Sequence, residues 1–273
     1  MVPLSETSKN LNPLRASIRR AIINAIQRRR RLYRWWLFRH IDAKDRANGS
    51  AANLPPSELR YRVNGAPDAE SFVAIGKKCV ADINAALLNI ERDLRSFHSI
   101  LDFGCGCGRT LIHLKDLAPS AKVYGADIDA KAIQWSRQHL KFATFDVTKP
   151  VPPTSYAPDT FDFIYAISVF THLNEDYQFR WLEELQRIAQ PGAILLLTLD
   201  SSLVGDQDFV FNHSYEQGLF PAWYQNAYHS RDYVFANFSS YFDVLNYLPR
   251  SLNNHQDVVV LQKRKQATTA LGG

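Results

Sequence analysis

The stretch Leu101-Asp-Phe-Gly-Cys-Gly-Cys-Gly-Arg-Thr110 places three glycines within five positions, behind Asp102. Glycines this dense let a backbone turn tightly and come close to a ligand. The spacing is G-x-G-x-G (Gly104, Gly106, Gly108), one residue short of the G-x-G-x-x-G that cradles a pyrophosphate. A carboxylate at Asp102 would repel phosphate and suit a positively charged ligand, an ammonium or a sulfonium. Asp127 follows 23 residues after Gly104, where a carboxylate can accept from both hydroxyls of a ribose. Asp146 could accept from an exocyclic adenine amine. Three such carboxylates with no lysine make a poor phosphate site and a good one for an adenosine carrying an amino acid and a sulfonium. Three histidines offer a base for a hydroxyl proton: His172 in Val-Phe-Thr-His-Leu, His255 in Asn-Asn-His-Gln-Asp and His229 in Ala-Tyr-His-Ser-Arg. His172 could instead be a structural cap and His255 a solvated loop residue, and His229 precedes a helix that should cover the same edge. Cys105 and Cys107 read as small loop residues, and the C-x-C spacing without a histidine pair gives no zinc pattern.

The elements that must position these residues alternate. Strands are expected at 99–103, 122–128, 141–147, 161–168 and 191–199. Helices are expected at 69–95, from Arg109 to Leu117, from Ala130 to His139 and from Asp176 to Ala189. Two closing strands, the second at 257–263, are joined by a short loop at 249–256 and should form an antiparallel hairpin. Such alternation predicts an α/β fold with a mostly parallel sheet. In that architecture ligands lie outside the carboxyl ends of the strands. The residues there are Asp102, Phe103, Gly104, Cys105 and Gly106, then Asp127 and Ile128, Asp146 and Val147, and Ile167 and Phe170. Asp129 reads as the cap of the next helix. Residues 45–58 read as a linker and 58–68 as irregular, with Tyr61 and Arg62 placed to fold over the ligand. Segment 203–228, rich in aromatics (Phe209, Phe211, Phe220, Trp223, Tyr224, Tyr228), reads as an irregular lid.

The series "LDFGCGCGRT", "VYGADID", "FDFIYAISVFTHL" and "RIAQPGAILLLT" resembles the class I S-adenosylmethionine-dependent methyltransferases over about residues 96–200. The stretch "YHSRDYV…YFDVLNYLPRSLNNHQDVVVL" more loosely resembles a bacterial subgroup associated with small-molecule and glycan chemistry. The resemblance implies a Rossmann-like methyltransferase sheet in strand order 3-2-1-4-5-7-6 with an antiparallel last strand. It also implies S-adenosyl-L-methionine as donor, with Asp102 and Gly104 flanking the methionine part, Asp127 the ribose and Asp146 the adenine. Methyl transfer from a sulfonium is an in-line displacement, in which the protein mainly positions the acceptor. Amino-methylation of DNA bases would call for Asp/Asn-Pro-Pro-Tyr/Phe after the fourth strand, and carbon-5 methylation of cytosine for Pro-Cys; the chain has Ala166-Ile-Ser-Val-Phe170. A small-molecule or glycan acceptor is therefore expected rather than nucleic acid, with a hydroxyl as the expected target and an amine as the other reading. The rival reading is an inactive methyltransferase fold used as a binding or scaffolding protein.

Charge divides the chain. Residues 1–46 hold 12 Lys/Arg against 3 Asp/Glu, a net of +9; the remaining residues hold 20 against 24, a net of −4. An acidic body disfavours a nucleic-acid groove. Residues 14–41 form a basic amphipathic pattern, with Leu14, Ile18, Ile22, Ile26, Tyr33, Trp36, Leu37 and Ile41 on one face and seven arginines opposite. That pattern suits an anionic membrane surface. Packing on a partner or on the body, and an organellar transit peptide, are the other readings. The expected organisation is a helical arm (1–46), a linker and cap helix (47–95), the donor-binding domain (96–266) and a flexible tail (267–273). The chain shows no transmembrane or signal segment, and cysteines inside the glycine loop suggest a reducing, cytoplasmic setting, with the arm peripheral to the inner membrane.

Overall fold

A computed structural model of the chain describes residues 12–49, 53–213 and 225–265; within the first helix, side chains are described from residue 32 onward and at a few earlier positions. The chain divides into two compact units, Met1–Ala51 and Ala52–Gly273. Among its described residues the first holds the helix α1 (Asn12–Ala47). On it Leu32, Tyr33, Trp35 and Trp36 are exposed, Trp36 stacks on His40, and Arg39 lies 4.8 Å over the Trp35 ring.

The second unit is a seven-stranded sheet with helices on both faces. Its strands are β1 (Ser99–Phe103), β2 (Lys122–Asp127), β3 (Ala143–Val147), β4 (Phe161–Ala166), β5 (Ala189–Leu199), β8 (Asp243–Leu252) and β9 (Gln256–Gln262). They lie in the order β3-β2-β1-β4-β5-β9-β8. β1 to β5 pair in parallel; β9 runs antiparallel to β5 and to β8. This is the expected 3-2-1-4-5-7-6 order, with the two closing strands becoming β8 and β9. Successive strand residues point to opposite faces. On β5, Ile194 and Leu196 join one core with α3 (Ala69–Leu88) and α4 (Ala130–His139). Leu195 and Leu197 join the other, with α5 (Glu175–Ile188) and α6 (Arg231–Asn237).

Three expectations need correction. The stretch read as linker and irregular chain contains α2 (Ser57–Asn64), which stops at left-handed Gly65, whose N–H bonds the Tyr61 carbonyl. Its Arg60 is buried, yet local carbonyls of Pro55 and Pro67 accept its N–H groups, so burial needs no distant partner. The helix expected from Arg109 is a 3-10 turn, Leu111–Leu117. Between left-handed Gly108 and Pro119 there is little room to propagate i→i+4 bonds, and Thr110 supplies no side-chain cap. The expected lid contains an antiparallel pair, β6 (Phe209–His213) with β7 (Gln225–His229). β-formers at Phe209, Val210 and Phe211 explain the strand. Phe220, Trp223 and Tyr224 of that segment, and the tail 267–273, lie outside the described residues.

Candidate donor edge and adjoining pocket

At the carboxyl edge of the sheet, β1 runs into the glycine loop. The Gly104 and Cys105 amides both donate to the Ala126 carbonyl, at 2.7 and 3.1 Å, which ties the loop to β2. Gly104 and Gly106 have φ of +84° and +54°, a region that side chains rarely enter. A Cβ on Gly104 would collide with Val169, and one on Gly106 would come within 2.5 Å of the Val63 side chain. The glycines thus make room for the protein itself: α2 packs on the loop, and the Arg109 guanidinium holds it there, donating to Val63 O at 2.9 Å and Asn64 Oδ1 at 3.2 Å.

Asp127 ends β2. Its Oδ2 accepts from the Gly106 N–H and its Oδ1 from the Asp129 N–H, each at 2.7 Å. Burial raises its pKa and these amides pull it back. Each oxygen keeps a lone pair, enough for two vicinal hydroxyls. Asp129 caps α4 through the Lys131 and Ala132 amides and pairs with Arg62 of α2 at 2.7 Å. Asp146 is the penultimate residue of β3, 3.6 Å from Arg137. Beside these carboxylates Ile128 and Val147 are exposed, 37 and 45%, at the ends of adjacent strands. Two uncovered aliphatic side chains next to a diol acceptor suit a purine face, so the residues fit an adenosine. Asp102 is buried, and burial pushes its pKa up to about 7; the Tyr165 hydroxyl, opposite it on β4, acts in the other direction.

Some expected contacts turn inward. The Phe103 ring packs on Trp181 and Phe170 on Phe238, both in the core on the α5 side. Cys105 and Cys107 are buried; burial raises both thiols, Cys107 to about 12, so neither is a nucleophile at neutral pH. His229 is fully buried, and burial lowers its pKa to about 3. Its Nε2 lies 2.9 Å from Gln178 Oε1, and the Gln178 amide donates in turn to the carbonyls of Phe170 and Leu173. His229 therefore sits too deep to meet an acceptor and supports the 3-10 turn Phe170–His172. Neither Gln178 nor Gln225 was legible as a supporting residue, because the contacts cross about 50 positions of sequence.

His172 rides on that turn. Its Nδ1 donates to the Gln225 carbonyl at 2.7 Å, which leaves the lone pair of the neutral ring on Nε2. Burial lowers its pKa, so the ring is neutral at physiological pH. His255 lies in the tight loop between β8 and β9 and borders a pocket of ≈ 390 Å³. Ile75 and Lys78 of α3 form one side of it, with Arg109, Ile167 and Ser168 from the loop and the end of β4. Leu252, Asn253 and Gln256 complete the wall. Asp127 and Asp146 lie over β2 and β3, whereas the pocket lies over β4, β9 and β8. Their division falls near the β1–β4 boundary, where strand order reverses. Ser168 and Asn253, with φ of +57° and +52°, line this pocket, and Arg250 and Asn254, at +51° and +57°, lie within three residues of Asn253 in the chain. Non-glycine residues in that region cluster at functional sites.

The sheet order and the glycine loop define a Rossmann-like methyltransferase fold. Residues 101–195 match the family model described as a methyltransferase domain. The chain is similar to "Methyltransferase GfsG" of Streptomyces halstedii, 28% identical over 38% of this chain and 38% of that protein. It is also similar to "tRNA N(3)-methylcytidine methyltransferase Mettl2" of Drosophila melanogaster, 29% identical over 36% of this chain and 33% of that protein. The matched stretch thus spans about a third of the length of these curated relatives. A solved S-adenosylmethionine-dependent methyltransferase of Methanosarcina mazei shares the fold with a TM-score of 0.50 at 20% identity, covering 62% of this chain and 93% of that one.

Proposed function

We propose that this protein transfers a methyl group from S-adenosyl-L-methionine to a small-molecule or glycan acceptor, at a hydroxyl, with His172 or His255 taking the proton. The observation that carries the donor reading is the row of carboxylates at successive strand ends, Asp102, Asp127 and Asp146, around a loop too short for a pyrophosphate. Asp127 would hold the ribose hydroxyls, Asp146 the adenine amine, Ile128 and Val147 the adenine faces, and Asp102 with Gly104 the methionine part. Bound there, the donor supplies an electrophilic methyl on sulfur. The chain's own task is to aim an acceptor along the S–C axis from the pocket side and to remove its proton. A neutral His172 can accept that proton at Nε2, and the Gln225 carbonyl stabilises the imidazolium that results. The domain match and the intact loop favour an enzyme over a scaffold. The acidic body favours a small acceptor over nucleic acid, though one of the two curated relatives is described as acting on tRNA. Calorimetric titration with S-adenosylhomocysteine tests the donor reading: one site per chain is expected, and no heat would overturn it.

We further propose that α1 lies on an anionic membrane surface, keeping a cytoplasmic enzyme at the inner membrane. Its support is the +9 charge of residues 1–46 beside exposed Trp35, Trp36, Leu32 and Tyr33. No helix among the described residues is long and apolar enough to cross a membrane.

A further inference from the structure

The two halves of the edge differ in charge. Donor-side strand ends carry Asp102, Asp127 and Asp146; among the described residues the pocket beside them is lined by Lys78 and Arg109 and by no carboxylate. We propose that this pocket binds an anionic group of the acceptor, a carboxylate or phosphate next to the atom that is methylated. The inference rests on the methyltransferase reading and narrows its substrate class.

Arg109 carries the argument. The acceptors for its Nη1 are neutral, the Val63 carbonyl and the Asn64 side-chain oxygen. Its Nε is buried with no acceptor among the described residues. The carboxylate its charge acts on is Asp102, itself buried and only partly ionised near neutrality. A guanidinium held this way has charge and donors left to offer, and an oxyanion is their natural complement. Lys78 faces the same pocket. Asp82 fixes its ammonium at 2.9 Å and also accepts the Asn253 N–H, so lysine head and pocket loop are set by one carboxylate. Gln256 accepts from the Ser168 hydroxyl at 3.0 Å through Oε1, which leaves its amide N–H groups as the donors. Arg109, Lys78 and Gln256 thus present donors around a space of ≈ 390 Å³, enough for a small acid or the acidic end of a larger one. Ile75, Ile167 and Leu252 supply apolar wall for the rest of such a molecule.

The donor's own α-carboxylate has the same chemistry, so the test must separate the two sources. Inorganic phosphate is the probe, titrated by calorimetry into protein already saturated with S-adenosylhomocysteine. Saturable binding is expected in the wild type, weakened about tenfold or more in Lys78→Gln and Arg109→Gln, with S-adenosylhomocysteine affinity unchanged in Lys78→Gln. Arg109→Gln also loosens α2, so Lys78→Gln, at a partly exposed residue, is the decisive variant. Phosphate that fails to bind the saturated wild type, or binds wild type and Lys78→Gln equally, overturns the proposal. If phosphate binds only the empty protein and Lys78→Gln loses S-adenosylhomocysteine, the cations hold the donor; the acceptor proposal then falls and the methyltransferase reading stands. If the wild type binds no S-adenosylhomocysteine, it is the methyltransferase reading that falls, and with it the assignment of this pocket to an acceptor.

Discussion

At the scale of single residues, the acids divide the work of donor binding. Asp127→Ala should weaken S-adenosylhomocysteine by about 1.5–3 kcal/mol, the range for hydrogen bonds to a charged group, as read by calorimetry. Asp102 gives a pH signature. Burial has raised its carboxyl from 3.8 to about 7, so the folded state holds a proton there that the unfolded chain has lost. Its contribution to stability is therefore full below the unfolded value and is lost as pH rises through about 7. A sulfonium reverses the preference by favouring the ionised form. The affinity ratio of S-adenosylmethionine to its neutral thioether product should rise as pH passes through about 7, and Asp102→Asn should flatten it. A ratio independent of pH in the wild type would remove Asp102 from the sulfonium's surroundings. Of the histidines, replacement of the true base by alanine should cut turnover roughly 10²–10⁴-fold with donor binding intact. If the base is His172, the acid limb of the kcat/KM profile should lie below the usual histidine range, since burial lowers that ring. Near-normal turnover in both His172→Ala and His255→Ala would favour an amine acceptor. The positions of Asp127 and Asp146 at the ends of their strands were legible from spacing, because the pattern before them fixes where a strand stops; that they hold the donor is the proposal. Arg109 and Lys78 were not, because a cation gains meaning only from what surrounds it in space.

At the scale of elements, the sheet was legible nearly in full, since long apolar runs punctuated by glycine, proline and aspartate leave few alternatives. What escaped was short or weakly patterned: α2, the β6–β7 pair and the 3-10 turn. α2 is held by the buried Arg60 and by Val63 against Gly106, contacts that no local periodicity announces. The turn after the loop depends on Gly108, whose φ is +83° and whose added Cβ would lie 2.6 Å from Leu140. Gly108→Ala combines strain with overpacking and should destabilise the protein by about 2–4 kcal/mol in urea denaturation. Wild-type stability in that variant would mean that the loop relaxes into another path.

For the whole molecule, the two compact units separate at Ala51. A chain beginning at Asn53 should fold, as judged by a cooperative thermal transition, and should bind S-adenosylhomocysteine like the full-length protein. It should no longer co-sediment with anionic liposomes, which the full-length protein should do at low salt, each basic residue near the surface adding about 1 kcal/mol. A full-length protein that ignores such vesicles would end the membrane reading; a shortened one that fails to fold would mean that α1 packs on the body. α2 and α3 lie in the second unit, with α3 built into the core and α2 packed on the glycine loop.

The left-handed residues around the pocket set stability against selectivity. Arg250 and Ser168, at φ of +51° and +57°, occupy conformations that glycine enters freely. Arg250→Gly should relieve about 1 kcal/mol, a few degrees in melting temperature for a domain of this size. The same change would let the end of β8 wander and blur the shape that Asn253, His255 and Gln256 give the pocket. A lineage selected for heat resistance alone would drift toward glycine here, and its enzyme would become tougher and less choosy about what it methylates.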